Sequence, residues 1–154
     1  MKKRNILLLS VCIVMITIIV QSFIISYCLN NVFISVNART REEAYPQYAD
    51  KILGAAGLIR NSTIFPVKII SIRPVDGRGV EYLVTKSTEW GFSEISEEDL
   101  SKLDNIEGKT ISPNTECNVG YFYRFTGEYM VNPEIFEVIY SILGIKFSQV
   151  KVSI

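Results

Sequence analysis

From position 6 to position 29 the chain runs for 24 residues without a charged side chain, rich in Ile, Leu and Val. No other feature constrains the chain as much. As a helix rising about 1.5 Å per residue the run is about 36 Å long, more than the roughly 30 Å hydrocarbon core of a bilayer, so it predicts one membrane-spanning helix with room to tilt. Lys2, Lys3 and Arg4 stand immediately before it, whereas Arg39, Arg41, Glu42 and Glu43 follow at a distance. Basic residues are retained on the cytoplasmic side, so the expected orientation is N-terminus inside and C-terminal part outside the cell membrane. The chain then divides into a cytoplasmic tail at 1–5, a transmembrane helix at 6–29, a stalk at 30–50 and an extracytoplasmic domain at 51–154.

Two other fates of the run stay open. A cleaved signal peptide would use Val36-Asn37-Ala38 as its small-residue site, but its apolar core is ordinarily about 7 to 15 residues. Lipidation would use Cys28, where bulky Tyr27 occupies a position that such signals fill with a small residue. Gln21, Ser22 and Ser26 are polar residues tolerated near the interface, or hydrogen-bonding groups for a partner helix.

Beyond the run there are 13 basic and 16 acidic residues, a mildly acidic balance with no stripe of Lys and Arg to displace counterions from a phosphate backbone. Nucleic acid is therefore set aside as a partner. The chain has no histidine, which removes the commonest general base near neutral pH and the commonest metal ligand. Of three cysteines, Cys12 and Cys28 lie in the apolar run and Cys117 alone lies beyond it, so the outer part cannot close a disulfide of its own. Cys117 is read as a structural residue, with pairing to Cys28 or to another chain as the alternative.

The polar stretch at 37–46, closed by Pro46, reads as the body of the stalk. After it come short apolar segments separated by turn residues, the pattern of an all-β sandwich. Strands are expected at 52–60, interrupted by Gly54 and Gly57; at 67–72 before Pro74; at 80–85 after the turn Asp76-Gly77-Arg78-Gly79; and at 117–125 up to Gly127. Ser96 followed by Asp99 resembles a capping box and predicts a short surface helix within 93–104. The end of the chain supports two readings. Asn132-Pro133-Glu134 with Ile135, Val138, Ile139 and Ile142 suits a helix, while the β-branched and aromatic content suits a terminal hairpin whose last strand is 147–154; the hairpin is preferred.

Three phrases resemble the small extracytoplasmic domains of uncharacterised Gram-positive bacterial membrane-anchored proteins. They are Asn61-Ser62-Thr63-Ile64-Phe65-Pro66-Val67-Lys68-Ile69, the aromatic strand at 121–125, and Tyr140-Ser141-Ile142-Leu143-Gly144-Ile145. The resemblance covers about 58–154 and implies an immunoglobulin-like or fibronectin-like sandwich on a membrane anchor, without an assigned activity. The acidic interval at 94–104 departs from that pattern. So does the lack of a Cys, Trp, Cys framework, which the single Trp90 cannot replace.

Several sharper chemistries were weighed against plainer ones. Glu94, Glu97, Glu98, Asp99 and Asp104 offer oxygen ligands for calcium, but their spacing is not that of an EF-hand, and a solvated acidic surface is the simpler reading. Ser148 with Lys151 matches Ser-x-x-Lys in a strand instead of at a helix start, a chance match. Tyr121, Phe122, Tyr123, Phe125, Tyr129, Phe136 and Tyr140 suggest a sugar-stacking face, although Tyr121, Tyr123 and Phe125 share one strand face and are expected in the core. Asn61-Ser62-Thr63 fits the N-glycosylation motif, which matters only in a glycosylating host. The resulting expectation is no enzyme, no catalytic, cofactor or metal residues, and a non-catalytic binding or structural domain with a protein or cell-wall partner. The alternative is an accessory subunit of a transport, secretion or division complex that acts through its transmembrane helix.

Overall fold

The computed structural model describes residues 2–36, 48–75, 79–88, 93–126 and 135–152. The chain forms two units, Met1–Asn31 and Val32–Ile154. The polar stretch at 37–46, the turn core at 76–78, Trp90, Tyr129 and Asn132 to Glu134 lie outside the described residues, as does the cleavage motif beyond Val36.

The first unit is one helix, α1 (Lys2–Asn30), within which Leu8–Asn30 is long and apolar enough to cross a membrane. Apolar residues occupy all its sides, as a lipid-facing helix requires. Two of its hydroxyls are satisfied within the helix: Thr17 Oγ1 donates to the Ile13 carbonyl at 2.8 Å and Ser22 Oγ to Ile18 at 2.9 Å. In hydrocarbon an unsatisfied hydroxyl is costly, so this back-bonding lets polar residues sit in the span.

The second unit is mostly β, built as two antiparallel sheets. Its elements in chain order are β1 (Val32–Val36), β2 (Ile52–Asn61), β3 (Val67–Pro74), β4 (Val80–Ser87), β5 (Ser93–Ile95), α2 (Glu97–Lys102), β6 (Asp104–Asn105), β7 (Thr110–Ile111), β8 (Thr115–Phe125), β9 (Ile135–Ile142) and β10 (Ile145–Val152). One sheet runs β1-β2-β8-β4-β6, with β5 also on β2; the other runs β10-β9-β3-β7. The segment 32–36, read from sequence as stalk, is therefore a strand, paired with β2 from Val32↔Asn61 to Val36↔Gly57. Only Asn30 and Asn31 separate its apolar residues from the apolar run, which hides the boundary.

At the C-terminus the preferred hairpin forms. Phe136, Val138, Tyr140 and Ile142 alternate as the buried face of β9, so the period of two prevails over the helical spacing. Leu143 and Gly144, with φ of 51° and 80°, make the two-residue turn into β10. The short helix also forms as the capping signal predicts, with Ser96 Oγ accepting from the Asp99 amide.

Between the sheets the core is aromatic and aliphatic. Phe136 of one sheet lies 5.3 Å, centroid to centroid, from Tyr121 of the other and 6.5 Å from Tyr82. Gly57, opposite Val119 on β8, is required here: a Cβ would meet the Tyr121 ring at 2.3 Å and the Ser35 carbonyl at 2.6 Å. The β8 strand is buried on both faces. Tyr121, Tyr123 and Phe125 face the other sheet, while Phe122 joins Ile52 and Ile95 in a second cluster, flanked by Leu83, Val84, Leu100 and Leu103. The acidic interval thus contributes a lid: its polar side is solvated and its leucines cover the outer face of the first sheet.

Candidate functional site

The side of the domain where β3 and β4 lie is crossed by the chain at the end away from the β3–β4 connection. There the segment 104–111 passes from one sheet to the other. Asp104 and Asn105 pair with Ser87 and Lys86, the Ile106 amide donates to the Thr85 carbonyl at 3.2 Å, the Gly108 amide donates to Ile69 O at 2.8 Å, and Thr110 and Ile111 pair with Lys68 and Val67. Ile106 is fully buried beneath this strap. Beyond it, among the described residues, β3 from Ile72 and β4 from Tyr82 have no further strand beside them on that side.

A bulge in β4 shapes what faces this opening. Tyr82 pairs with Tyr123 and Val84 with Phe122, so Leu83 is the extra residue. In a regular strand Tyr82 and Thr85, three apart, would point to opposite faces. The bulge shifts the alternation, so Leu83 and Val84 both pack on the outer cluster. Tyr82 and Thr85, opposite Tyr123 and Tyr121, both turn inward.

Together with Ile72, Pro74 and the strap residues Asn105 and Glu107, they line a cleft of about 340 Å³. Thr85 is 4% exposed and its Oγ1 has no hydrogen-bond partner among the described residues. The same is true of the buried hydroxyls of Tyr82 and, deeper in the core, Tyr121. A buried hydroxyl left unpaired costs on the order of 1–3 kcal/mol, so the two carried by residues of the cleft lining are an unusual expense for a fold. Burial, then the neighbouring Tyr121 phenol and the Glu107 carboxylate, push the Tyr82 hydroxyl far above its ordinary range, and burial does the same for Tyr121. Both phenols are neutral and able to donate as well as accept. The charged groups of the lining, Arg73 and Glu107, are exposed and of opposite sign.

Cys117 occupies a second, shallower hollow of about 200 Å³. It is half-buried rather than buried, and its Sγ lies 3.6 Å from Ser87 Oγ, which accepts from Lys109 Nζ at 2.9 Å. Lys109 is also 3.9 Å from Asp104. All three cysteines are free thiols, so the pairing of Cys117 with Cys28 is absent from this structure.

The remaining sequence candidates take structural positions. Glu94 pairs with Lys51 at 2.8 Å, Glu97 with Arg124, Glu98 and Asp99 with Lys102 at 2.9 and 3.0 Å, so the acidic interval is neutralised by cations. The Ser96 hydroxyl and then Lys102 hold the Asp99 carboxyl below the usual carboxylate range. No three acids, cysteines or histidines converge among the described residues. Ser148 Oγ donates to Glu137 at 2.9 Å on the hairpin surface. The suggested sugar-stacking face does not exist as a surface: Tyr121, Phe122, Tyr123, Phe125, Phe136 and Tyr140 are each 2% exposed or less.

Asn61 is likewise internal. Its Nδ2 donates to the carbonyls of Phe65, Ile111 and Ser112 at 2.8 to 3.1 Å, and its Oδ1 accepts from the Thr63 amide and lies 2.8 Å from Thr63 Oγ1. A side chain so enclosed cannot meet a glycosyltransferase in the folded domain. Tyr82 and Thr85 were not singled out by sequence; the signal was the polar-apolar-apolar-polar order Tyr82-Leu83-Val84-Thr85, which breaks alternation where the bulge falls. No family model, curated protein or solved structure matches the chain.

Proposed function

We propose that this is a single-pass membrane-anchored protein whose outer domain, an immunoglobulin-like sandwich, is a non-catalytic binding module that receives its ligand in the cleft between β3 and β4. The observation that carries this reading is that Tyr82 and Thr85 of its lining carry buried hydroxyls without a partner among the described residues. Groups of that kind are retained where something outside the chain completes their hydrogen bonds.

The immunoglobulin-like reading is supported by strand order. The sheet β1-β2-β8-β4 corresponds to the A-B-E-D sheet of a constant-type domain, and β3, β9 and β10 correspond to C, F and G. On that reading 93–111 is an insertion between D and E, and it supplies both the helical lid and the strap. The resemblance to Gram-positive membrane-anchored proteins is of the same architecture, and it favours a wall polymer or a surface protein as the source of the ligand. The outward orientation follows from Lys2, Lys3 and Arg4 before the span.

Orientation is tested by labelling intact cells with a membrane-impermeant thiol reagent, using Lys3→Cys and Lys146→Cys variants in which Cys12, Cys28 and Cys117 are replaced by Ser. Lys146 is exposed on β10. The expected result is labelling of Lys146→Cys in intact cells and of Lys3→Cys only after lysis. The reverse pattern removes the outer domain and its extracellular ligand together.

A further inference from the structure

We infer that the β3/β4 cleft is built for a small uncharged polyhydroxyl ligand, a single saccharide ring. This rests on the reading of the cleft as a binding site, and the chemistry of its lining narrows the class. Two residues of the lining, Tyr82 and Thr85, carry buried hydroxyls without a partner among the described residues. A hydroxyl both donates and accepts, which matches the hydroxyls of a sugar; a carboxylate or phosphate needs donors alone and an ammonium needs acceptors alone.

Burying an ion also demands a buried counter-charge, and the lining offers none: Arg73 and Glu107 are both exposed and cancel at the rim. Asn105 and Glu107 at that rim supply planar polar groups for outward-facing ligand hydroxyls. The walls of Ile72 and Pro74 suit the apolar C–H face of a ring. At about 340 Å³ the cleft sits at the lower end of the roughly 300–1,000 Å³ span of small-molecule sites, so one ring enters and any polymer it belongs to remains outside.

The test uses the full chain in lipid nanodiscs, with methyl-labelled Ile, Val and Thr, titrated separately with glucose, N-acetylglucosamine, glutamate and inorganic phosphate. The expected result is a saturable shift of the Ile72 and Thr85 methyl signals with an uncharged sugar, weakened about tenfold by Tyr82→Phe and again by Thr85→Val, as loss of one hydrogen bond per variant predicts. Both variants leave the remaining methyl spectrum unchanged if they act on the site alone. If glutamate or phosphate shifts these signals and the sugars do not, the ligand class is wrong while the cleft stands as a binding site. If no probe shifts them and the Thr85 methyl shows contacts to water only, the cleft is a hydration site and both readings fall. Sugar binding that moves other methyls and is indifferent to both variants also overturns the assignment.

Discussion

Two buried polar clusters of the β-sheet unit can be set side by side. Around Asn61, each donor and acceptor of the amide meets a carbonyl, an amide or a hydroxyl of the same chain, and the three carbonyls it ties belong to the 62–66 turn and to the connection between β7 and β8. Around Tyr82, Thr85 and Tyr121 the hydroxyls are also buried, yet they have no partner among the described residues. The Asn61 cluster is closed on itself and serves the fold. Tyr82 and Thr85 line a cleft, and on the proposed reading a ligand completes their hydrogen bonds. Burial and polarity are shared by the two, so they do not separate a structural site from a binding site; hydrogen-bond satisfaction does.

The largest effect expected from this contrast is that of Asn61→Ala. It removes a buried amide that makes five hydrogen bonds and leaves the Ile111 carbonyl without that donor, while Phe65 O keeps Thr63 Oγ1 and Ser112 O keeps Thr115 Oγ1. It should cost about 3 kcal/mol in urea denaturation of the full chain in detergent micelles. A loss below about 1 kcal/mol would mean that water replaces the amide and that the cluster is not closed. Gly57→Ala comes next, at about 1–3 kcal/mol, because the new methyl must displace the Tyr121 ring and the β1 backbone together. Its near-ultraviolet circular dichroism should change with its stability, since the ring that moves carries one of the three hydroxyls.

A smaller effect appears only at alkaline pH. The folded domain holds Tyr82 and Tyr121 protonated above the pH at which they ionise in the unfolded chain. The unfolded state therefore releases protons first, and stability is constant with respect to these groups below about pH 10 and declines as pH rises above it. Absorbance at 295 nm should report two tyrosines that ionise only as the domain unfolds. Ionisation of Tyr82 before unfolding would indicate a wetter cleft with solvent already in hydrogen-bond contact.

Much of the architecture was legible in the sequence. The apolar run, the capping box at Ser96, the strands from 52 to 85, the aromatic strand and the terminal hairpin all follow from local pattern, because each is stabilised by neighbours near in sequence or by a simple period. What escaped was non-local. The strand β1 follows the apolar run after only Asn30 and Asn31 and finds its partner about 25 residues later. The work of Asn61 depends on carbonyls 50 and 51 positions away. The cleft depends on a bulge that moves Tyr82 and Thr85 to the same face, against the alternation from which strands are read.

The same non-local placement makes the central claim easy to test. The stability of the double variant Tyr82→Phe, Thr85→Val, measured by urea denaturation of the full chain in micelles without added ligand, separates hydroxyls that serve the fold from hydroxyls held ready for a ligand. If they are unpaired in the free domain, removing them leaves stability unchanged or raises it by up to about 1 kcal/mol per hydroxyl. A loss of about 1 kcal/mol or more would contradict the account, because it would mean that the hydroxyls already stabilise the free domain as those around Asn61 do.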